Sequence, residues 1–196
     1  MELLETKDIL LQKPPIKRKE GWHVSEIIRD LLDTLESRKS GPIDEAMRTR
    51  MEAGFAVERA FEDGYRDVVR SEMLGERIDE IELDNIWGSP DGVVMVDGKP
   101  TILDEVKATW MSERKTKPHE VRRYTMQVLA YLKMLSEMYG VKVRKVRWWV
   151  YFVCGDYTYP MKPHAVRYTY EASDQEVEEN WQIIVAHKKR MEAKSA

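Results

Sequence analysis

Residues 89–109, SPDGVVMVDGKPTILDEVKAT, constrain this chain more than any other stretch. Two apolar runs flank Asp97-Gly98, and together they read as a β-hairpin. Asp91 opens the first strand, and Glu105, Val106 and Lys107 lie within the second. Side chains i and i+2 of a strand share a face, so Glu105 and Lys107 point one way while Ile102, Asp104, Val106 and Ala108 point the other. Two carboxylates and a lysine on one face are costly to crowd or bury without compensation. A divalent cation such as Mg²⁺ or Mn²⁺, which takes oxygen ligands, would supply it.

That gathering depends on the register. If Asp97-Gly98 were a plain two-residue turn, Val96 would pair with Lys99 and Asp91 with Asp104. Glu105 would then fall on the face opposite Asp91. A shared metal therefore requires an odd loop or a β-bulge. The expected form is a three-residue loop with Gly98 as its positive-φ residue and a bulge beside it.

A length of 196 residues suits one domain with a sizeable core, and we place it at residues 22–196 behind an N-terminal arm, 1–21. No apolar run approaches the roughly 20 residues that span a bilayer, and MELLETKDILLQKPP does not resemble a secretory signal. The lone cysteine, Cys154, rules out an intrachain disulfide and any four-cysteine zinc or iron–sulfur site; a reducing, cytoplasmic setting is expected. Cys154 itself reads as a core residue of an apolar strand. The net charge of −3 does not announce a nucleic-acid binder, but the charge is uneven. Residues 114–123, RKTKPHEVRR, offer Lys115, Lys117, Arg122 and Arg123 to phosphates, with a solvated charged face as the plain alternative.

The rest of the chain supports that hairpin. Ser25 caps an expected helix over 26–37 with an Ile27, Ile28, Leu31, Leu32, Leu35 face. A longer helix is expected over 43–74, carrying Glu58 and Glu62 one turn apart. Strands are expected near 77–87, 92–96 and 101–110. A helix follows from Pro118 to Tyr139, with Gly140 as its stop and Val128, Leu132 and Leu135 on its apolar side. Arg123, Gln127 and Tyr131 repeat every four residues and share a stripe on that helix. Strands over 143–153 and 164–170, then a helix capped at Ser173 or Asp174, complete the chain. The order predicts an α/β domain whose mixed central sheet is flanked by helices.

Four pieces in this order resemble the PD-(D/E)XK nuclease superfamily, in its RecB-like and lambda-exonuclease-like branches found in phages. They are Gly54-x-x-x-Glu58, Pro90-Asp91, Glu105-Val106-Lys107 and Gln127-x-x-x-Tyr131. The resemblance spans residues 54–131 and implies a restriction-endonuclease-like αβββαβ core. It implies that Asp91, Glu105, the Val106 carbonyl and Glu58 hold Mg²⁺ or Mn²⁺, and that Lys107 orients the attacking water. Gln127 and Tyr131 would border the site, and Gln127 with the nearby basic residues would meet DNA. The implied activity is DNA phosphodiester hydrolysis leaving a 5′-phosphate, by an exonuclease of phage-type recombination or DNA processing. A structure- or site-specific endonuclease and a catalytically inactive DNA-end-binding protein are the alternatives. Ring-shaped homo-oligomers occur in this superfamily, and recombination or replication proteins would be natural partners. With a single cysteine the chain fits the branch that lacks an iron–sulfur cluster.

Plainer readings cover other residues. Asp104 lies opposite Glu105 and reads as structural. His119 reads as a surface histidine. Trp148, Trp149, Tyr151 and Phe152 alternate along a strand, so some of them belong to the core.

Overall fold

The computed structural model describes residues 19–36, 53, 56, 75, 78–110, 112, 117–155, 159–160 and 162–195. Most of the expected arm and of the expected helix over 43–74, with Glu58 and Glu62, lies outside the described residues; Ala53 and Ala56 are helical.

Two sheets form. A small one runs β1 (Trp22–His23), β3 (Ile86–Gly88), β2 (Ile81–Leu83), with β1 parallel and β2 antiparallel to β3. The single strand expected near 77–87 is thus a hairpin. Asp84 and Asn85, at φ 54° and 56°, fold it back, a left-handed conformation that Asp and Asn adopt more readily than most residues. The larger sheet runs β4 (Gly92–Val96), β5 (Lys99–Thr109), β6 (Lys145–Phe152), β7 (His164–Glu171). β5 and β6 are parallel, and the outer pairs are antiparallel.

A parallel pair needs a crossover. Here it passes through a 3₁₀ turn, Pro118–Glu120, and helix α2, Arg122–Tyr139. Gly140, at φ 63°, ends α2 in the left-handed conformation that glycine adopts without steric penalty. Helix α1 (Val24–Leu35) begins one residue before the expected cap. His23 occupies the N-cap position without a capping hydrogen bond from its side chain, and Ser25 lies inside the helix. Helix α3 (Asp174–Ser195) opens on a capping box: Glu176 N–H donates to Ser173 Oγ at 3.2 Å, and Ser173 N–H donates to Glu176 Oε2 at 2.8 Å.

The core lies between one face of the large sheet and the helices. Leu103, Val146, Trp148 and Phe152 join Val128, Leu132 and Leu135 of α2, Trp181 and Ile184 of α3, and Ile27 and Ile28 of α1. Burying such side chains stabilises the fold by roughly 1.5–3 kcal/mol each. The other face of the sheet holds a second cluster, Val106 and Trp149 with Tyr151 and Ala165. Trp148 and Phe152 are therefore core, and Trp149 is buried on the opposite side. Leu35 is exposed, and half-buried Cys154 sits in the turn after β6 rather than in the strand. The whole is the mixed α/β arrangement expected of a restriction-endonuclease-like core. Among the described residues, no helix is long and apolar enough to cross a membrane.

Candidate active site

The site begins with the hairpin. Asp97 and Gly98, at φ 50° and 73°, make a two-residue turn that pairs Val96 with Lys99. Pro100 comes next, opposite Met95, and has no N–H to give to a ladder. The pairing then jumps: Val94 faces Ile102, so Thr101 is the extra residue of a β-bulge. Its Oγ1 donates to the Val94 carbonyl at 3.0 Å. Beyond the bulge Gly92 faces Asp104, the place an unbroken register would give to Asp91. Continued by one residue, that register would set Asp91 opposite Glu105. The expected irregularity is present, but it lies within β5 and the loop has two residues rather than three.

Asp91 is half-buried, and its Oδ2 accepts a 2.8 Å hydrogen bond from the backbone N–H of Val106. Glu105 is only 1% exposed, with its Oε1 paired to Lys107 Nζ. Alternation along β5 makes that pair, since the two side chains are two residues apart on one face. Lys107 Nζ also lies 5.6 Å from the ring centroid of Tyr124 on α2.

About two turns along the same helix, buried Tyr131 accepts a 3.1 Å hydrogen bond at its hydroxyl from Gln127 Nε2. Burial pushes the Tyr131 hydroxyl well above the ordinary tyrosine range. The negative charges of Glu105 and Asp91 act in the same direction, against the Gln127 hydrogen bond and the Lys107 charge. Tyr131 is therefore a neutral phenol under the electrostatic influence of all three charged groups. The ring fits because β3 carries glycine beside it: a Cβ on Gly88 would stand 2.7 Å from Tyr131 Cε1.

Asp91, Glu105, Lys107, Gln127 and Tyr131 are thus brought together. Arg122 and Arg123 are exposed at the start of α2. Lys117 places its Nζ 5.3 Å from the Tyr168 ring centroid, toward the β7 edge of the sheet. Glu58 and Lys115 lie outside the described residues. His119 is exposed, as expected of a surface histidine.

The donor set suits a hard cation. Asp91 and Glu105 would be the residues to offer carboxylate oxygens, beside Val106, whose backbone N–H bonds Asp91. Mg²⁺ is commonly held by one or two carboxylates with water completing its shell. Among the described residues no group of three or more His, Cys, Asp and Glu is placed to hold a metal ion. Two carboxylates are what this part of the chain provides.

Asp104, on the opposite face, is wholly buried and structural. Arg147 grips it with Nε to Oδ1 and Nη2 to Oδ2, each at 2.6 Å. Trp149 Nε1 donates to Oδ1 at 3.1 Å, and the Gly75 N–H donates to Oδ2 at 2.6 Å. This cluster holds β5, β6 and the Gly75 backbone together immediately beside Glu105. Sequence pattern revealed neither contact: Arg147 meets Asp104 through a parallel register between strands more than 35 residues apart, and Gly75 reaches it from 29 positions earlier.

Neither a protein-family model nor a curated protein sequence matches the chain. Among solved structures, the chain is similar to an alkaline exonuclease from Laribacter hongkongensis, at 17% identity over 89% of each chain, with a TM-score of 0.48. It is similar to a phage-related exonuclease from Haemophilus somnus 129PT at 10% identity, covering 88% of this chain and 83% of that one, with a TM-score of 0.49. A third structure, SSO0001, is 14% identical over 88% of this chain and 78% of its own, with a TM-score of 0.47.

Proposed function

We propose that this protein is a divalent-metal-dependent DNA nuclease, acting as an exonuclease in phage-type recombination or DNA processing in the cytoplasm. The observation that carries the proposal is the one-residue register shift at the Thr101 bulge, together with the Val106 N–H bond to Asp91 and the Glu105–Lys107 pair. Without that shift the two carboxylates would lie on opposite sides of the sheet.

In this reading Asp91, Glu105 and the Val106 carbonyl hold Mg²⁺ or Mn²⁺, with Glu58 as a further ligand. Bound there, the ion supplies Lewis acidity that activates water and steadies charge on the attacking and leaving oxygens. The chain's own residues do the rest. Lys107 sets an ammonium beside the carboxylates, where it orients the attacking water and offsets charge growing on the phosphate. Tyr131 stays protonated and accepts from Gln127, so its own O–H remains a donor at the rim of the site. Arg122, Arg123, Lys115, Lys117 and Gln127 meet the DNA backbone. Such phosphate contacts contribute affinity without sequence preference.

The test is cleavage of end-labelled linear duplex beside covalently closed circular DNA, with Mg²⁺ or Mn²⁺, by wild type and Lys107→Ala. Loss of the linear substrate alone, abolished by the substitution, is the expected result. Cutting of the circle would make the protein an endonuclease. If neither substrate is cut with either metal, the nuclease reading falls and DNA-end binding becomes the alternative to measure.

A further inference from the structure

β7 ends the larger sheet among the described residues. An eight-residue edge strand offers a row of backbone donors and acceptors to any strand that can lie beside it. Which residues face outward can be read from one bond. Ala172 N–H donates to Arg144 O at 2.9 Å, continuing the antiparallel ladder in which Glu171 pairs with Lys145. Backbone groups alternate between the two sides of such a strand. Even-numbered residues of β7 therefore bond toward β6, and Ala165, Arg167, Thr169 and Glu171 turn their backbone N–H and C=O groups outward. The side chains of Arg167, Thr169 and Glu171 are exposed.

We infer that β7 pairs antiparallel with β7 of a second copy of this chain, about a two-fold axis through Thr169. The charge pattern selects both the partner and the register. With Thr169 facing its own copy, Arg167 falls opposite the second copy's Glu171, and Glu171 opposite its Arg167. Opposite charges across a ladder are favourable, and like charges are not. Centring on Arg167 would set two guanidinium groups face to face. Centring on Tyr168 would leave Arg167 opposite Thr169 and Glu171 opposite Ala165. Centring on Tyr170 would leave Glu171 opposite Thr169.

The intrachain register strengthens the choice. Lys145 faces Glu171 and Trp149 faces Arg167 across β6 and β7, with the Arg167 guanidinium carbon 5.6 Å from the Trp149 ring centroid. A row across the joined sheets would then read Trp149, Arg167, Glu171, Lys145, with each glutamate between two cations. On the other face Tyr168 would meet Tyr170. This is an isologous contact, which closes at two copies.

A single-strand interface lies at the small end of specific contacts, so the association should be concentration-dependent. Sedimentation equilibrium of the full chain, at moderate salt and without DNA, reads it directly. Wild type should follow a monomer–dimer curve. Arg167→Glu and Glu171→Arg should each weaken the dimer by about tenfold or more, since each faces like charges across the ladder. Combining the two substitutions should restore it. Thr169→Lys, which sets two lysines together on the axis, should also leave monomer, and circular dichroism would check that each variant is folded. A wild type that stays monomeric, a trimer, or a dimer that survives Arg167→Glu or Thr169→Lys would overturn the inference. Because the readout involves no cleavage, it stands or falls separately from the nuclease reading.

Discussion

The backbone N–H of Val106 donates to Asp91 Oδ2 at 2.8 Å, tying the first carboxylate of the site to the middle of the Glu105-Val106-Lys107 triplet. Asp91 therefore has two separable roles. As a hydrogen-bond acceptor it holds the start of β4 against β5; as an anion it would bind the metal. Asp91→Asn keeps an acceptor oxygen and loses the charge. We expect its melting temperature to stay close to that of wild type and its cleavage of linear DNA to fall on the order of a thousandfold, several kcal/mol of lost charge stabilisation. Asp91→Ala should lose the activity and, in addition, about 1 kcal/mol of stability from the missing bond. An Asp91→Asn enzyme with wild-type rates would remove Asp91 from the reaction.

The Asp104–Arg147 pair predicts the opposite balance, with stability affected first. Asp104 is fully buried, and Arg147, Trp149 and Gly75 together satisfy its oxygens. Removing one partner of a buried pair leaves an uncompensated charge, at a cost of about 3–5 kcal/mol. Arg147→Met should lower the midpoint of urea unfolding accordingly. Replacing both residues with apolar ones should recover much of the loss, because the buried charge goes too. Equal losses in the single and double variants would mean that shape, and not charge, is what the cluster supplies.

The hairpin also shows which parts of the molecule were legible beforehand. Alternation placed Glu105 and Lys107 on one face, and the mismatch with Asp91 called for an irregularity. Local pattern could not place it: Gly98 pointed to the loop, whereas Pro100, lacking an N–H, puts the break one step inside β5. Helix α2 was readable because its apolar spacing and Gly140 agree. β1 was not, since two residues that pair with β3 across more than sixty positions carry no periodicity of their own. Ser25 looked like a cap by residue type, yet the chain enters α1 from β1 and sets His23 at that position. Tertiary contacts decided each of these cases.

Gly88 illustrates a site requirement that sequence pattern leaves unmarked. A Cβ there would stand 2.7 Å from Tyr131 Cε1 and 3.1 Å from Met134 Sδ. The methionine can move aside; the buried ring cannot do so without leaving its place beside Gln127. Gly88→Ala should destabilise by roughly 1–3 kcal/mol, the usual cost of overpacking. It should also reduce cleavage more than Tyr131→Phe does, because it displaces the ring rather than trimming its hydroxyl. Thermal melts alongside initial rates for the two variants would check the order.

Acid should loosen the start of α3 first. The Tyr170 hydroxyl, then the Ser173 N–H and hydroxyl, hold the Glu176 carboxyl below its ordinary range. Lys142 and Arg144 do the same for Asp174, and Lys133 followed by Gln182 for Glu178. A carboxylate whose pKa is lower in the folded state adds stability above its unfolded pKa and loses it as pH falls through the folded value. All three losses therefore fall below the usual carboxylate range, about pH 4. Exposed Asp174 is screened by salt, so its share should shrink as ionic strength rises. At the alkaline end Tyr170, pushed up to about 12 by burial and then by Glu176, loses its contribution only as pH rises toward that value. Urea midpoints measured from neutral pH downward should drop below about pH 4, and Tyr170→Phe should flatten the drop by removing the largest influence on Glu176. An unchanged acid limb in Tyr170→Phe would place the sensitivity elsewhere in the fold.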